Sequence, residues 1–375
     1  MKNIILTLNT AWNAWNFRMG LIRSLQRKGY QVVILAPKDN FVSLLEENGC
    51  LFHHVPMSNK GMNPFREVAT FFALLRAYRR YQPEVILHFT IKPNIYGTLV
   101  GRFLRIPSVC NVTGLGISFE KDSFLLRLIK ELYRLAFRHA EMVFFQNQDD
   151  RDLFIEEKLI KEEHTDRLPG SGVDLTQFSP KTKEDAVGKH PLFLLTARML
   201  WSKGVGEYIQ AAKIVKREVP DVSFALLGAL DCDNPDAISR SRMEQWVNTG
   251  LVEYWGTTDN VAEAYAKADC VVLPSYYREG VPRSLLEAAA MGTPIITTDS
   301  IGCKDAVEDG VTGYLCRPRD GKDLANKLLL FLHLDQNSRL EMGKAGRIKM
   351  EREFDEQIVV RKYLEILETL SSSSG

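Results

Sequence analysis

An α/β fold of two Rossmann-like, doubly wound domains is what this sequence predicts, and three observations carry the prediction. At 375 residues the chain is longer than one hydrophobic core usually serves. Short apolar runs rich in Val, Ile and Phe alternate with stretches of helical spacing from the first residues onward. The alternation breaks once, at "RLPGSGVDLTQFSPKTKEDAVGKHP" (167–191), and then resumes.

The elements follow in order. "NIILTL" reads as a buried strand and "FRMGLIRSLQRKG" as the helix after it, with Gly29 as its stop. "YQVVILAP" is the next strand, and "FVSLLEENG" a second helix stopped by Gly49. "CLFHHV", "EVILHF", "PSVCNV" and "MVFFQN" continue the strand series. Strands separated by helices form βαβ units, hence a parallel sheet covered on both faces. Pro, Gly, Ser and charge crowd the 167–191 stretch, which reads as the linker. Beyond it "LFLLTAR", "VSFALLG", "VEYWG", "CVVLPS" and "PIITTD" repeat the pattern. "EFDEQIVVRKYLEILETL" closes it as an amphipathic helix, and "SSSSG" reads as a flexible tail. The expected domains are 1–180 and 181–352, with a C-terminal helix and tail over 353–375 for which a return to the first domain is one option. Open sheets of this kind bind ligands at the carboxyl ends of their strands, so the cleft between the domains is the expected site.

Composition narrows the class. With 45% hydrophobic and 25% charged residues the chain is of globular type, and no apolar run reaches the roughly 18 residues of a membrane span. "IILTL" is too short for a signal-peptide core before Asn9 and Thr10 interrupt it, so the cytoplasm is expected. The six cysteines, at 50, 110, 232, 270, 303 and 316, show no CxxC spacing and are expected to be buried small hydrophobes. The net charge of +1 hides an asymmetry: residues 1–140 hold 19 Lys and Arg against 8 Asp and Glu, the remainder 29 against 39. A split this large points the N-terminal part toward an anionic partner, a membrane surface or nucleic acid. No nucleic-acid-binding motif accompanies the charge, so nucleic acid is not the expected partner.

Two carboxylates eight positions apart, Glu279 and Glu287, bracket a proline in "REGVPRSLLE" (278–287). A buried strand ends near Ser275, a loop carries Glu279 and Gly280, Pro282 suits a first helical position and Gly292 stops the helix. From Pro282 to Glu287 the rise is about 7.5 Å, at roughly 1.5 Å per residue. The backbone across Gly280, Val281, Pro282, Arg283 and Ser284 then forms a helix start, where amides and the helix dipole favour an anion. That layout suits a nucleotide sugar, with the diphosphate at the helix start, the ribose diol beside Glu287 and the sugar hydroxyls beside Glu279. On spacing alone, two solvated helix charges are the commoner reading. The surroundings reverse that weighting. In "LTARMLWSKGVGEYIQAA" Arg198 ends a strand and Lys203, five residues on, precedes a helix, two cations able to neutralise a diphosphate leaving group.

Over essentially its full length the chain resembles the retaining, two-Rossmann-domain (GT-B) glycosyltransferases of family four. The resemblance rests on "SGVDLTQFSP" at the junction, "ARMLWSKGV", "VLPSYYREGVPRSLLEAAAMGTPIITTD" and "GVTGYLCRPRD". It implies that Arg198 and Lys203 contact the donor diphosphate, that Glu279 faces the transferred sugar and that Glu287 holds the ribose. In the N-terminal part "WNFRMGLIRSL", "TIKPNIYGTLVGRFLRIP" and "NVTGLGISF" resemble bacterial enzymes that add N-acetylhexosamine, notably N-acetylgalactosamine, to a sugar on undecaprenyl diphosphate. Arg18, Lys92, Asn94, Thr113, Gly114 and Gly116 fall in those segments and are the acceptor-side candidates. Two departures stand out: the Gly-Gly loop many members carry after the first strand has no counterpart before Gly20, and Thr113 replaces the histidine of a frequent V-H-G. His88, in "LHFT", lies near the strand end, and a structural role fits it at least as well as a functional one.

The implied function is that of a hexosyltransferase (EC 2.4.1.-) acting in polysaccharide or O-antigen-type glycan assembly. It would move a sugar, N-acetylgalactosamine in α-1,3 linkage first among the options, from a UDP-sugar to an undecaprenyl-diphosphate-linked saccharide, with no cofactor and no metal. A lipid-borne acceptor gives the basic N-terminal part a reason. Residues 63–84 and 124–141 read as amphipathic helices with Lys and Arg beside large apolar residues, suited to peripheral contact with the inner face of the cytoplasmic membrane. Most of Phe71, Phe72, Leu125 and Leu132 are expected to pack on the sheet. "DCD" (231–233) matches the metal signature of a different glycosyltransferase architecture and is set aside. The rivals are a two-Rossmann nucleotide-sugar epimerase and a non-catalytic UDP-sugar-binding scaffold subunit.

Overall fold

The computed structural model of the protein describes residues 2–58, 63–116, 119, 123–180, 190–230 and 234–372. Two compact units divide the chain, Met1–Ser171 with Glu356–Gly375, and Gly172–Asp355. The first contains strands β1 (Asn3–Thr7), β2 (Gln31–Ala36), β3 (Leu51–His54), β4 (Val85–Phe89), β5 (Ser108–Val112), β6 (Met142–Phe145) and β7 (Thr165–Arg167). They form one parallel sheet in the order β3-β2-β1-β4-β5-β6-β7. The second contains β8 (Leu192–Thr196), β9 (Ser223–Leu227), β10 (Glu253–Tyr254), β11 (Cys270–Leu273), β12 (Ile295–Thr298) and β13 (Gly313–Cys316). These are again all parallel, in the order β10-β9-β8-β11-β12-β13. In each sheet the order reverses once, between β1 and β4 and between β8 and β11. Helices leave such a switch point on opposite faces and open a crevice at the strand C-termini.

The interior strands are continuous apolar runs because helices cover both faces. Two strands were not foreseen. "TDR" is too short and polar to show a period, and "GYLC" lies inside a turn-rich stretch. Division falls at Ser171–Gly172 because Val173 and Phe178 are buried in the second unit's core and the Val173 amide donates to the Phe354 carbonyl at 2.8 Å. The 181–189 part of the expected linker lies outside the described residues, as do Cys232 and the "DCD" triplet. The other five cysteines are buried, and none of them forms a disulfide among the described residues.

Helix Glu356–Ser372 belongs to the first unit. Its Val359, Val360, Tyr363 and Leu367 are buried with helix Ala11–Arg27 on one face of the first sheet. Tyr363 sits among rings, 5.0 Å from Phe144 and 6.1 Å from Phe89 between centroids, and its hydroxyl accepts from Asn111 Nδ2 at 2.9 Å.

On the opposite face, Thr7, His88 and Cys110 occupy one row across β1, β4 and β5. His88 is fully buried against Gly97, with Tyr78 6.3 Å away between ring centroids, and among the described residues neither ring nitrogen has a hydrogen-bond partner. Burial pushes its pKa down to about 3 from 6.5. Between these two values the unfolded chain binds a proton that the folded chain does not. This stability is therefore present above pH 6.5 and lost as the pH falls, by up to about 1.4 kcal/mol per pH unit. Urea midpoints measured from pH 7.5 downward should fall less steeply for His88→Leu than for the wild type; parallel curves would clear His88 of that role.

Candidate active site

β8 and β11 are neighbours in the second sheet, so the segments leaving their C-termini meet. After β8 come Arg198, a 3-10 turn Trp201–Lys203, Gly204 and helix Val205–Glu218. Asp236 fastens the turn: its carbonyl accepts from the Trp201 amide at 2.9 Å and its Oδ2 from the Ser202 amide at 3.0 Å. After β11 a loop runs to Pro282 and helix Arg283–Ala290. The Ser202 carbonyl accepts from the Tyr276 amide at 3.1 Å and lies 3.2 Å from Ser275 Oγ, which ties the two segments together. Gly204 allows this approach, since its φ is +77° and a Cβ there would lie 2.0 Å from the Pro274 carbonyl oxygen.

Lys203 and Glu279 meet across this junction. Lys203 Nζ donates to Glu279 Oε1, Ser275 Oγ donates to the same oxygen at 2.9 Å, and the Tyr277 ring lies 5.2 Å from the ammonium. Both side chains are only 13% exposed. At that depth either charge alone would be costly, and together they neutralise each other. Gly302, at φ +82°, supports the loop: a Cβ there would come within 1.9 Å of the Gly280 carbonyl oxygen and 2.7 Å of that of Glu279. Arg198 is exposed, and Gly280, Val281 and Pro282 are buried.

Pro282 is the N-cap, not the first helical residue, with φ −63° and ψ 120°. The first helical residue is Arg283, and Ser284 follows it half-buried. Arg283 Nε donates to Glu287 Oε1 at 2.8 Å and the Tyr265 hydroxyl donates to Glu287 Oε2 at 3.2 Å. Burial raises the Glu287 pKa, opposed by the Arg283 charge and by hydrogen bonds from Arg283 and Tyr265. A cation at a helix start opposes the dipole, and basic-before-acidic is the weaker order for a pair four residues apart. The dipole and the pair order therefore do not favour Arg283 there; what holds it is the charge of the nearly enclosed Glu287. On the same unit a cavity of about 420 Å³ is lined by Leu227, Trp255, Thr258, Asn260, Ala264 and Lys267, next to Tyr265 in sequence. Sequence reasoning missed it; the available signal was the loop following the strand "VEYWG".

In the first unit, Lys92 lies beyond β4 and donates to Glu67 Oε1 at 2.5 Å. Glu67, in the first turn of helix Pro64–Tyr81, was not foreseen, and it is 8% exposed. Burial and the Glu67 carboxylate push the nearby Tyr96 hydroxyl up to about 12. Asn94 does not line an open site as expected. It is fully buried, and its amide closes a two-way link to the Asn111 backbone, donating at 2.9 Å and accepting at 3.3 Å. The cause is a π-helical turn, Pro93–Gly97, that folds the segment onto β5. Arg18 is likewise buried, its guanidinium 4.3 Å above the Phe89 ring. Thr113 and Gly114 are half-buried and Gly116 buried.

Helices Pro64–Tyr81 and Phe124–Phe137 leave apolar side chains outward, above all Phe65 at 88% and Phe124 at 85% exposure. Phe72 and Leu125 are exposed too, against expectation, while Phe71 and Leu132 are half-buried. Arg66, Arg76, Arg127 and Arg138 are exposed among them. Among the described residues no helix is long and apolar enough to cross a membrane, and no group of three or more His, Cys, Asp or Glu is placed to hold a metal ion.

Comparison with known proteins bears on family and fold. The chain matches the family model Glycosyl transferase 4-like domain over residues 14–170 and the model Glycosyl transferases group 1 over residues 178–349. It is 29% identical over 367 residues to the N,N'-diacetylbacillosaminyl-diphospho-undecaprenol alpha-1,3-N-acetylgalactosaminyltransferase of Campylobacter jejuni, with 94% of each chain covered. It is 22% identical to the UDP-Gal:alpha-D-GlcNAc-diphosphoundecaprenol alpha-1,3-galactosyltransferase of Escherichia coli, over 83% of this chain and 85% of that one. Among solved structures, HepE of Anabaena in complex with UDP and glucose superposes with a TM-score of 0.82 at 19% identity, over 98% of this chain and 100% of that one. At that identity the likeness is one of fold.

Proposed function

The chain belongs to the group 1 glycosyl transferases and has the GT-B fold, and from that premise we propose that it transfers a sugar from a UDP-sugar to a saccharide carried on undecaprenyl diphosphate. The observation that carries this reading is the Lys203–Glu279 pair at the β8/β11 switch point, beside a helix that starts with Arg283 and holds Glu287. N-acetylgalactosamine as the donor sugar and an α-1,3 linkage are supported by the printed activity of the Campylobacter relative. Lys203, Arg198 and the helix start stabilise the charge on departing UDP, Glu279 accepts a hydroxyl of the transferred sugar, and Glu287 takes the ribose diol. The cavity beside Trp255 suits the base. With retention, the acceptor hydroxyl attacks the face that UDP leaves, the C1–O electron pair departs with UDP, and the acceptor proton passes to a diphosphate oxygen. Glu279 positions the sugar through that hydrogen bond and forms no covalent bond to it.

The test is incubation with a panel of UDP-sugars and a short polyprenyl-diphosphate-linked N-acetylhexosamine, with products weighed by mass spectrometry. One added sugar with matching UDP release supports transfer. Donor turnover without acceptor favours the epimerase, and donor binding with no product on any lipid favours the scaffold.

Two further results are expected. Tyr265→Phe removes one hydrogen bond from Glu287. The ribose is held alike in ground and transition states, so donor KM should rise about three- to tenfold with kcat nearly unchanged. A loss confined to kcat would place Tyr265 elsewhere in the mechanism. The exposed Phe65, Phe124 and neighbouring arginines suit an anionic lipid surface, the place where such an acceptor resides. Sedimentation with phosphatidylglycerol vesicles should be more than about tenfold weaker for Phe65→Ser/Phe124→Ser; equal sedimentation would rule that face out.

A further inference from the structure

We infer that Glu279 discriminates the intact nucleotide sugar from the spent nucleoside diphosphate by competing with the diphosphate for Lys203. The inference rests on the donor reading above and adds a second duty to the carboxylate. In the structure the ammonium of Lys203 is committed to Glu279, both side chains being almost enclosed. Ser275 holds the same carboxylate oxygen, and the loop beneath is pinned by Gly302 against the carbonyls of Glu279 and Gly280 and by Ser202 against Tyr276. Glu279 is therefore set in place, and Lys203, the longer and more flexible partner, is the group that moves.

A diphosphate that draws Lys203 toward itself takes that ammonium away from Glu279 in a poorly hydrated position. When the ligand carries its sugar, a sugar hydroxyl donates to the vacated carboxylate and offsets the loss. UDP alone has no such group. The same diphosphate contacts thus yield weaker binding once the sugar has gone, and re-pairing of Glu279 with Lys203 expels the product. Release of product is a frequent limit on turnover, so the pairing hastens a step that chemistry does not govern.

Calorimetry with UDP separates this from simple repulsion. Glu279→Gln should bind UDP about tenfold more tightly than the wild type, since Lys203 is released from its partner. In a Lys203→Met background the same substitution should give no gain, because the competition has lost its object. Glu279→Asp keeps the charge but draws it back by one methylene, and should shift UDP affinity the same way to a smaller extent. A gain that persists in the Lys203→Met background means bulk charge repulsion and overturns the inference. So does unchanged or weaker UDP binding in both Glu279 variants, with melting curves confirming that each is folded. A wild type that fails to bind UDP at all overturns the donor reading and the inference with it.

Discussion

Lys203→Met is expected to lower the rate of sugar transfer by about 10²–10³-fold at saturating donor, the largest loss of any single side chain in the second unit. In the proposed transfer the bond that breaks leaves its electron pair on a diphosphate, and charge developing there is stabilised by fixed cations in a poorly hydrated site far more than in water. Arg198 is exposed and more strongly screened, so it replaces little of what is lost. Methionine keeps the length and the contact with Tyr277 while removing the charge. It also takes the Lys203 ammonium away from the buried Glu279 carboxylate, which should cost up to about 3 kcal/mol of stability. Steady-state transfer to a polyprenyl-diphosphate-linked sugar, with melting curves alongside, checks both parts. A kcat within about threefold of the wild type would remove Lys203 from stabilising the leaving group.

Gly302→Ala is expected to cripple the enzyme without touching a substrate. The new Cβ would fall 1.9 Å from the Gly280 carbonyl oxygen at a φ of +82°, so it strains its own backbone and forces the carbonyls of Glu279 and Gly280 to move. Left-handed backbone at a non-glycine costs about 1–2 kcal/mol, and overpacking adds about 1–3. A shift of about 1 Å at the carboxylate proposed to hold the sugar can cost on the order of 10²-fold in rate. The expected outcome is a lower melting temperature together with a fall in kcat at least about tenfold. A stable variant with normal kcat would show that the loop yields without displacing Glu279.

The parts of this molecule that could be read from its sequence are those with short-range signals. The buried strands announced themselves as Val- and Ile-rich runs, and Lys203 and Glu279 sit in motifs just past two such strands. That β8 and β11 are neighbours, which makes the two side chains meet, follows from doubly wound topology. Glu67 and Tyr265 left no comparable trace. Each lies within a helix, and which neighbour a helical polar group finds depends on packing with a distant segment, here Lys92 and Glu287. Asn94 misled because a segment after a strand normally opens toward ligand, whereas here it winds into a π-helical turn and spends its amide on Asn111. The amphipathic pattern of 356–372 was visible, but a pattern does not name the surface that receives it.

That last segment sets the order in which the protein is made. The first sheet keeps Phe89 and Phe144 covered with Tyr363, so the ribosome must release residues some two hundred positions downstream before the N-terminal unit is complete. Residues 172–355 are contiguous and need no segment from outside their own span. The half of the protein translated first therefore stays a partly bare intermediate until nearly the whole chain has been made, the stage at which chaperones would find it.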